Sequence, residues 1–152
     1  EHLSVTGSTH DAYGLRKTDD PEIHARLVGR INKKILNHKR SIIETEDYLL
    51  EDAEVALIAY GFTARTSLYA VKRLRKEGQK IGMLRLKTLW PFPDERVAEV
   101  GKKVKRIMVP EMNLGQVAGE VKRYVDCDVI SISQTNGEVI GPKFLIETLR
   151  KI

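Results

Sequence analysis

A chain of 152 residues, 41% apolar and 31% charged, has the length of one domain and an ordinary globular composition, and no apolar run approaches the ~20 residues of a membrane span. Folding at this size buries about 68–70% of the surface of the unfolded chain, enough for one sizeable core. The net charge of +5 divides as 8 Lys and Arg against 10 Asp and Glu in residues 1–52 and 18 against 11 in residues 53–152, but the basic clusters Lys72, Arg73, Arg75, Lys76 and Lys102, Lys103, Lys105, Arg106 lack the interleaved aromatics that stack on bases, which favours solvated faces over a nucleic-acid site.

Residues 1–20 are rich in Gly, Ser, Thr and Asp without periodicity and read as a loop or a connection. Asp20 then supplies an N-cap and Pro21 a first-turn proline, and Ile23, Leu27, Ile31 and Ile35 predict an amphipathic helix from 21 to about 38. Ser41 to Thr45 is expected to add a short strand. From residue 54 strands and helices alternate. The nearly continuous apolar run 54–60 reads as a strand covered on both faces, ending at Gly61. Ala64, Leu68, Val71 and Leu74 mark a helix face that Gly78 closes. A strand at 81–86, a helix from 94 to about 103, a strand at 107–109, a helix at 115–125, a strand at 128–133 and a final helix from Pro142 follow. Such repeated units with short connections imply a mostly parallel sheet between two helix layers.

The sequence offers few groups for chemistry. Cys127 is the only cysteine, so the chain cannot supply the thiolates of an iron–sulfur cluster. His2, His10, His24 and His38 lack the i, i+4 spacing of a helical metal site, and no metal site is expected. His10-Asp11 allows an oriented imidazole, with a solvated loop pair as the favoured alternative. No secretory or targeting segment is visible, and the chain, which opens on Glu1 rather than Met, is expected to be a fragment or a processed piece from a reducing, cytoplasmic setting.

Three loops hold the candidate residues. Gly61, Thr63 and Arg65 follow a strand and open a helix without the further glycines of a dinucleotide loop; a tight turn is the simpler reading and an anion at the helix N-terminus the sharper one. Glu111, Asn113, Gly115 and Gln116 end the next apolar run, where ligands of open α/β sheets are met. Capping of nearby amides or a subunit contact is favoured there over catalysis. Trp90 and Phe92 sit in the proline-bound segment Leu89-Trp90-Pro91-Phe92-Pro93, either as interface anchors or as a plug over the domain's own core.

In order along the chain stand Thr6-Gly7, His10-Asp11, Gly14, Asp20-Pro21-Glu22, His24, Tyr60-Gly61, Thr88 to Pro93 and Pro110 to Gln116. This ordered set resembles the C-terminal part of the alpha subunit of 2-oxoacid:ferredoxin oxidoreductases, particularly the 2-oxoglutarate type. The second half is also similar to the C-terminal domain of transketolase. The resemblance implies a three-layer α/β/α domain with five strands in the order 1-3-2-4-5, the first antiparallel to the others. It implies that residues 1–40 are the tail of a preceding thiamine-type domain plus a connecting helix, and that residues 41–152 form the transketolase-like domain. It further implies an intact enzyme that decarboxylates a 2-oxoacid to an acyl-CoA and passes electrons to ferredoxin. Thiamine diphosphate, Mg and iron–sulfur clusters would then belong to other domains or subunits, with none bound by this chain alone. The implied partners are a beta subunit, gamma and delta subunits in larger forms, ferredoxin and coenzyme A, with no nucleic acid and no membrane. The chain alone is expected to be inactive. The alternative is a free-standing α/β domain that binds a small ligand or an anion.

Overall fold

The computed structural model describes residues 6–151. His2 and the start of the expected 1–20 loop lie outside the described residues. The chain divides into two compact units, Glu1–Ile42 and Ile43–Ile152.

In the first unit the helix α1 spans Pro21–Leu36. The Asp20 carboxylate accepts hydrogen bonds from the Glu22 and Ile23 amides, both at 3.0 Å, so the expected cap and first-turn proline are both present. None of its residues is buried. Before it, His10 and Arg16 face each other across an isolated antiparallel bridge. Asp11 accepts from the amides of Tyr13 and Leu15, while His10 Nδ1 lies 2.9 Å from the Ser8 carbonyl oxygen. The carboxylate thus caps backbone rather than orienting the imidazole.

The expected strand at Ser41–Thr45 is corrected. Lys39–Ile42 form a short helix, α2, and the strand β1 is Thr45–Tyr48. Its sequence Thr-Glu-Asp-Tyr carries no apolar alternation because it is a sheet edge, where charged side chains are favoured. Cross-strand pairs hold it antiparallel to β3 (Ile81–Leu86), from Thr45 opposite Leu86 to Tyr48 opposite Met83.

The remaining strands are β2 (Val55–Tyr60), β4 (Arg106–Glu111) and β5 (Asp128–Ser133), and the sheet order is β1-β3-β2-β4-β5. All pairs except β1 with β3 are parallel. This is the expected 1-3-2-4-5 arrangement with the first strand antiparallel. Strand β4 runs further than the apolar 107–109 core and includes Pro110. The ladder from β2 stops at Met108, so the missing proline N–H interrupts no bond to that neighbour.

Helices α3 (Gly61–Lys76) and α6 (Pro142–Leu149) cover one face, and α4 (Asp94–Gly101) and α5 (Gln116–Val121) the other. Alternate strand residues sort between the two layers. Leu57, Ala59, Met83 and Met108 meet Ala64, Val71, Leu74 and Leu145, whereas Ala56, Ile58, Leu84, Ile107 and Val109 meet Val97, Val100, Ala118 and Val121. Burying each large apolar side chain contributes about 1.5–3 kcal/mol, which is why strands apolar on both faces fit only a covered sheet. Helix α5 ends earlier than expected, and Tyr124 and Val125 pack against the core from the loop beyond it.

Close approach fixes the turn between β1 and β2. A Cβ on Gly82 would stand 2.5 Å from the Leu49 carbonyl oxygen, and Leu49 itself is held at φ 53. Arg75 clamps the same turn, donating to the carbonyls of Leu49 and Ile81 at 2.6 Å each and to Asp52 at 2.8 Å. Among the described residues no helix is long and apolar enough to cross a membrane.

Candidate functional site

The three expected loops follow β2, β3 and β4, which are neighbours in the sheet and run parallel, so they emerge on one edge. Gly61, at φ 53, opens α3, whose first turn receives no side-chain cap. Thr63 is buried and its hydroxyl donates to the Tyr60 carbonyl at 2.7 Å. Arg65 is exposed and forms no ion pair among the described residues.

The loop after β4 is organised by its own side chains. Glu111 is fully buried at the end of the strand, and its carboxylate accepts from the amides of Val117 at 2.9 Å and Ala118 at 3.0 Å. Ser131 on β5 adds a longer contact of 3.4 Å and is bonded to Ser133 at 2.7 Å. Asn113 Oδ1 accepts from the amides of Gly115 at 2.8 Å and Gln116 at 3.1 Å. The first amides of α5, normally orphaned at a helix start, are therefore satisfied by two upstream side chains. A buried carboxylate beneath these amides also complements the positive helix end.

Gly115 makes this turn at φ 96, a left-handed conformation in which a side chain would be strained. A Cβ there would also press to 3.3 Å from Ser131 Oγ. Gln116 is exposed at the helix start.

The loops after β2 and β4 are joined by one hydrogen bond that the sequence did not single out, from Asn113 Nδ2 to the Tyr60 hydroxyl at 2.8 Å. Burial first, and then the charge of Glu111, push the Tyr60 phenol above its usual value, while the Asn113 bond opposes them. A tyrosine closing a strand just before a glycine was the available signal for this residue.

The two aromatic candidates after β3 divide. Trp90 is 66% exposed, and the Trp90–Pro91 bond is cis. Phe92 is buried, with its ring stacked on Tyr124 at 5.6 Å between centroids and 21° between planes. Phe92 thus packs into the domain's own core, and Trp90 lies at the surface. Tyr124 is held in turn by Glu120, which accepts from its hydroxyl at 3.0 Å.

The arrangement shapes a surface and leaves no acid–base pair. Glu111 and Asn113 are spent on backbone amides, the Ser131 hydroxyl reaches Glu111 only at 3.4 Å, the hydroxyl–imidazole pair of Thr9 and His24 at 2.8 Å belongs to the first unit, and burial pushes the Cys127 thiol up, away from the reactive thiolate. Among the described residues no cluster of His, Cys, Asp and Glu could hold a metal ion.

Residues 53–145 match the family model of pyruvate:ferredoxin oxidoreductase core domain II. The chain is 37% identical over 152 residues to a 2-oxoglutarate synthase subunit KorA of Methanothermobacter marburgensis, covering 99% of this chain and 40% of that one. With the subunit KorA of Methanocaldococcus jannaschii the identity is 40% over 146 residues, or 95% of this chain and 39% of the relative. The chain thus spans about two fifths of the length of these relatives. A solved 2-oxoglutarate:ferredoxin oxidoreductase from Magnetococcus marinus, with 2-oxoglutarate, coenzyme A and succinyl-CoA bound, aligns at a TM-score of 0.77 and 26% identity, over 96% of this chain and 26% of its own. A split-gene transketolase shares the fold, with a TM-score of 0.60 at 18% identity over 71% of this chain and 40% of its own. The resemblance drawn from the ordered motifs therefore holds, and the chain belongs to the family of pyruvate:ferredoxin oxidoreductase core domain II.

Proposed function

We propose that this chain is the C-terminal part of the alpha subunit of a 2-oxoacid:ferredoxin oxidoreductase of the 2-oxoglutarate type, acting as its assembly and docking module. The whole enzyme would oxidatively decarboxylate a 2-oxoacid to an acyl-CoA and pass the electrons to ferredoxin. In this reading residues 1–40 are the end of a preceding thiamine-type domain with its connecting helix, a beta subunit is the first partner, and the setting is cytoplasmic. The observation that carries it is the contrast at the carboxyl edge of the sheet. Glu111 and Asn113 are consumed by the amides of their own loop, while Trp90 is left exposed. A site that spends its polar groups on itself and presents an aromatic side chain is suited to holding a partner, and poorly suited to proton transfer.

A single cysteine cannot supply the thiolates of an iron–sulfur cluster, and among the described residues no three His, Cys, Asp or Glu side chains are grouped to hold a metal ion, so in this reading thiamine diphosphate, Mg and the clusters belong to other domains or subunits. Of the alternative, a small-ligand or anion site formed by Gly61 to Arg65 and Glu111 to Gln116, the second loop is opposed by a buried carboxylate and by amides that already have acceptors.

The test is 2-oxoacid-dependent reduction of a viologen dye with coenzyme A present. The isolated 152-residue chain is expected to show none. Turnover by that chain alone would overturn the reading.

A further inference from the structure

The carboxyl edge of the sheet carries more than one exposed apolar residue. Phe62 after β2 is 54% exposed, Leu89 and Trp90 follow β3, and Met112 and Leu114 follow β4, with Leu114 at 83%. Three adjacent parallel strands deliver them, and strands about 4.8 Å apart place the three loops within about 10 Å along the edge. The bond from Asn113 to the Tyr60 hydroxyl ties two of the loops directly. The opposite edge differs in kind. It carries paired charges, Glu54 to Lys105 at 2.6 Å and Arg106 to Asp128 at 2.9 Å, with Leu49 as its exposed apolar residue. Single exposed apolar residues need no explanation, but five delivered by three neighbouring loops to one edge are the composition of an interaction surface.

Three residues on along α3 from Phe62, a member of this apolar crown, Arg65 is exposed and forms no ion pair among the described residues. Building on the docking function proposed above, we infer that Phe62, Leu89, Trp90, Met112 and Leu114 form the seat of a partner subunit of the oxidoreductase, whose facing surface is apolar and presents a carboxylate to Arg65. Charge selects this occupant. A second copy of the chain, packed crown to crown about a two-fold axis, would bring the same patch of both copies together and leave two guanidiniums without counter-charge. A nucleic acid would require several cations along its phosphates, where Arg65 supplies one. The aromatic members supply the anchors that dominate protein interfaces, and an arginine paired across the rim sets the register.

The experiment uses the full-length alpha subunit that contains this chain, co-expressed with its neighbouring subunits and purified through a tag on alpha. Retained partner is measured for the wild type, for Phe62→Ser with Leu114→Ser, for Arg65→Glu, and for Lys102→Glu at the charged edge as control. The apolar double variant and Arg65→Glu each reduce retention by about tenfold or more, with the melting temperature of the alpha subunit alone unchanged and the control at wild-type level. Wild-type retention in both crown variants overturns the inference while leaving the docking function standing. A fall in the melting temperature of alpha alone, without loss of partner, also overturns it, because the crown is then covered by the rest of its own chain. Self-association of alpha that the crown variants abolish overturns it in favour of a second copy. If wild-type alpha retains no partner at all, the docking function falls first and the inference with it.

Discussion

Asn113 donates its side-chain amide to the Tyr60 hydroxyl at 2.8 Å while its carbonyl oxygen caps Gly115 and Gln116. One side chain thereby fixes the loop after β4 and ties it to the end of β2. Tyr60→Phe removes a single hydrogen bond and is expected to cost about 0.5–1.5 kcal/mol. Asn113→Ala also uncaps two amides and costs about 1–3 kcal/mol. In urea unfolding, Tyr60→Phe should cost less in the Asn113→Ala background than in the wild type. Equal costs in both would show that the two loops are not coupled through this bond. The phenol adds a second readout. Its folded value is raised, so its contribution to stability is complete below the unfolded value of 10.0 and is lost as pH rises through the folded one. Because the Asn113 bond lowers the phenol, Asn113→Ala should move the Tyr60 phenolate absorbance to still higher pH.

Glu111 is a buried carboxylate whose partners are backbone amides of α5. Glu111→Ala leaves those amides without acceptors in the core and is expected to destabilise by about 2–4 kcal/mol, whereas Glu111→Gln keeps one acceptor and costs less. Chemical unfolding of the isolated chain ranks the two variants. A neutral Glu111→Ala would deny the carboxylate its capping role.

Acid should loosen the edge strand in a defined window. Glu46 accepts from the Tyr48 hydroxyl at 2.7 Å and pairs with Lys87 at 3.0 Å and Arg85 at 3.1 Å. The Tyr48 bond, then the Lys87 ammonium, hold its carboxyl down to about 2, against an ordinary value of 4.5. A depressed carboxyl stabilises the fold above its unfolded value, and this contribution is lost as pH falls from 4.5 towards 2. The difference in melting temperature between wild type and Glu46→Gln should therefore be present near neutral pH and shrink across that window. A difference that does not change with pH would assign the effect to packing instead.

Ser67 on α3 is fully buried, and its hydroxyl is the one buried side-chain polar atom without a hydrogen-bond partner among the described residues. Ser67→Ala removes an uncompensated polar group of nearly the same size and should stabilise the domain by about 0.5–2 kcal/mol in thermal or urea unfolding. A loss of stability would mean that the hydroxyl is bonded in solution.

Most of this architecture was legible because its strands are covered on both faces. The run Val55–Tyr60 is apolar without interruption and Ile81–Leu86 is broken only by Arg85, and Asp20, Pro21, Gly78 and Pro142 punctuate their helices as local rules require. Strand order came from the ordered motifs rather than from periodicity. What escaped was non-local or polar. Strand β1 is a charged edge, so Ile42 and Ile43 drew the expected strand too early. Capping of nearby amides by Glu111 was expected, but which amides it takes, Val117 and Ala118 of α5, was not, because the carboxylate reaches across from the end of β4. The stacking of Phe92 on Tyr124 joins distant segments, so of the two aromatics on either side of Pro91 one went inside and the other stayed out.

The docking role is tested most directly by removing residues 43–152 from the full-length alpha subunit and measuring the partner subunit that copurifies with it. We expect the shortened alpha subunit, shown to be folded by a cooperative melt, to lose its partner, and 2-oxoacid-dependent viologen reduction to be lost with it. A shortened subunit that keeps its partner and its activity at wild-type levels would contradict the role assigned to this domain.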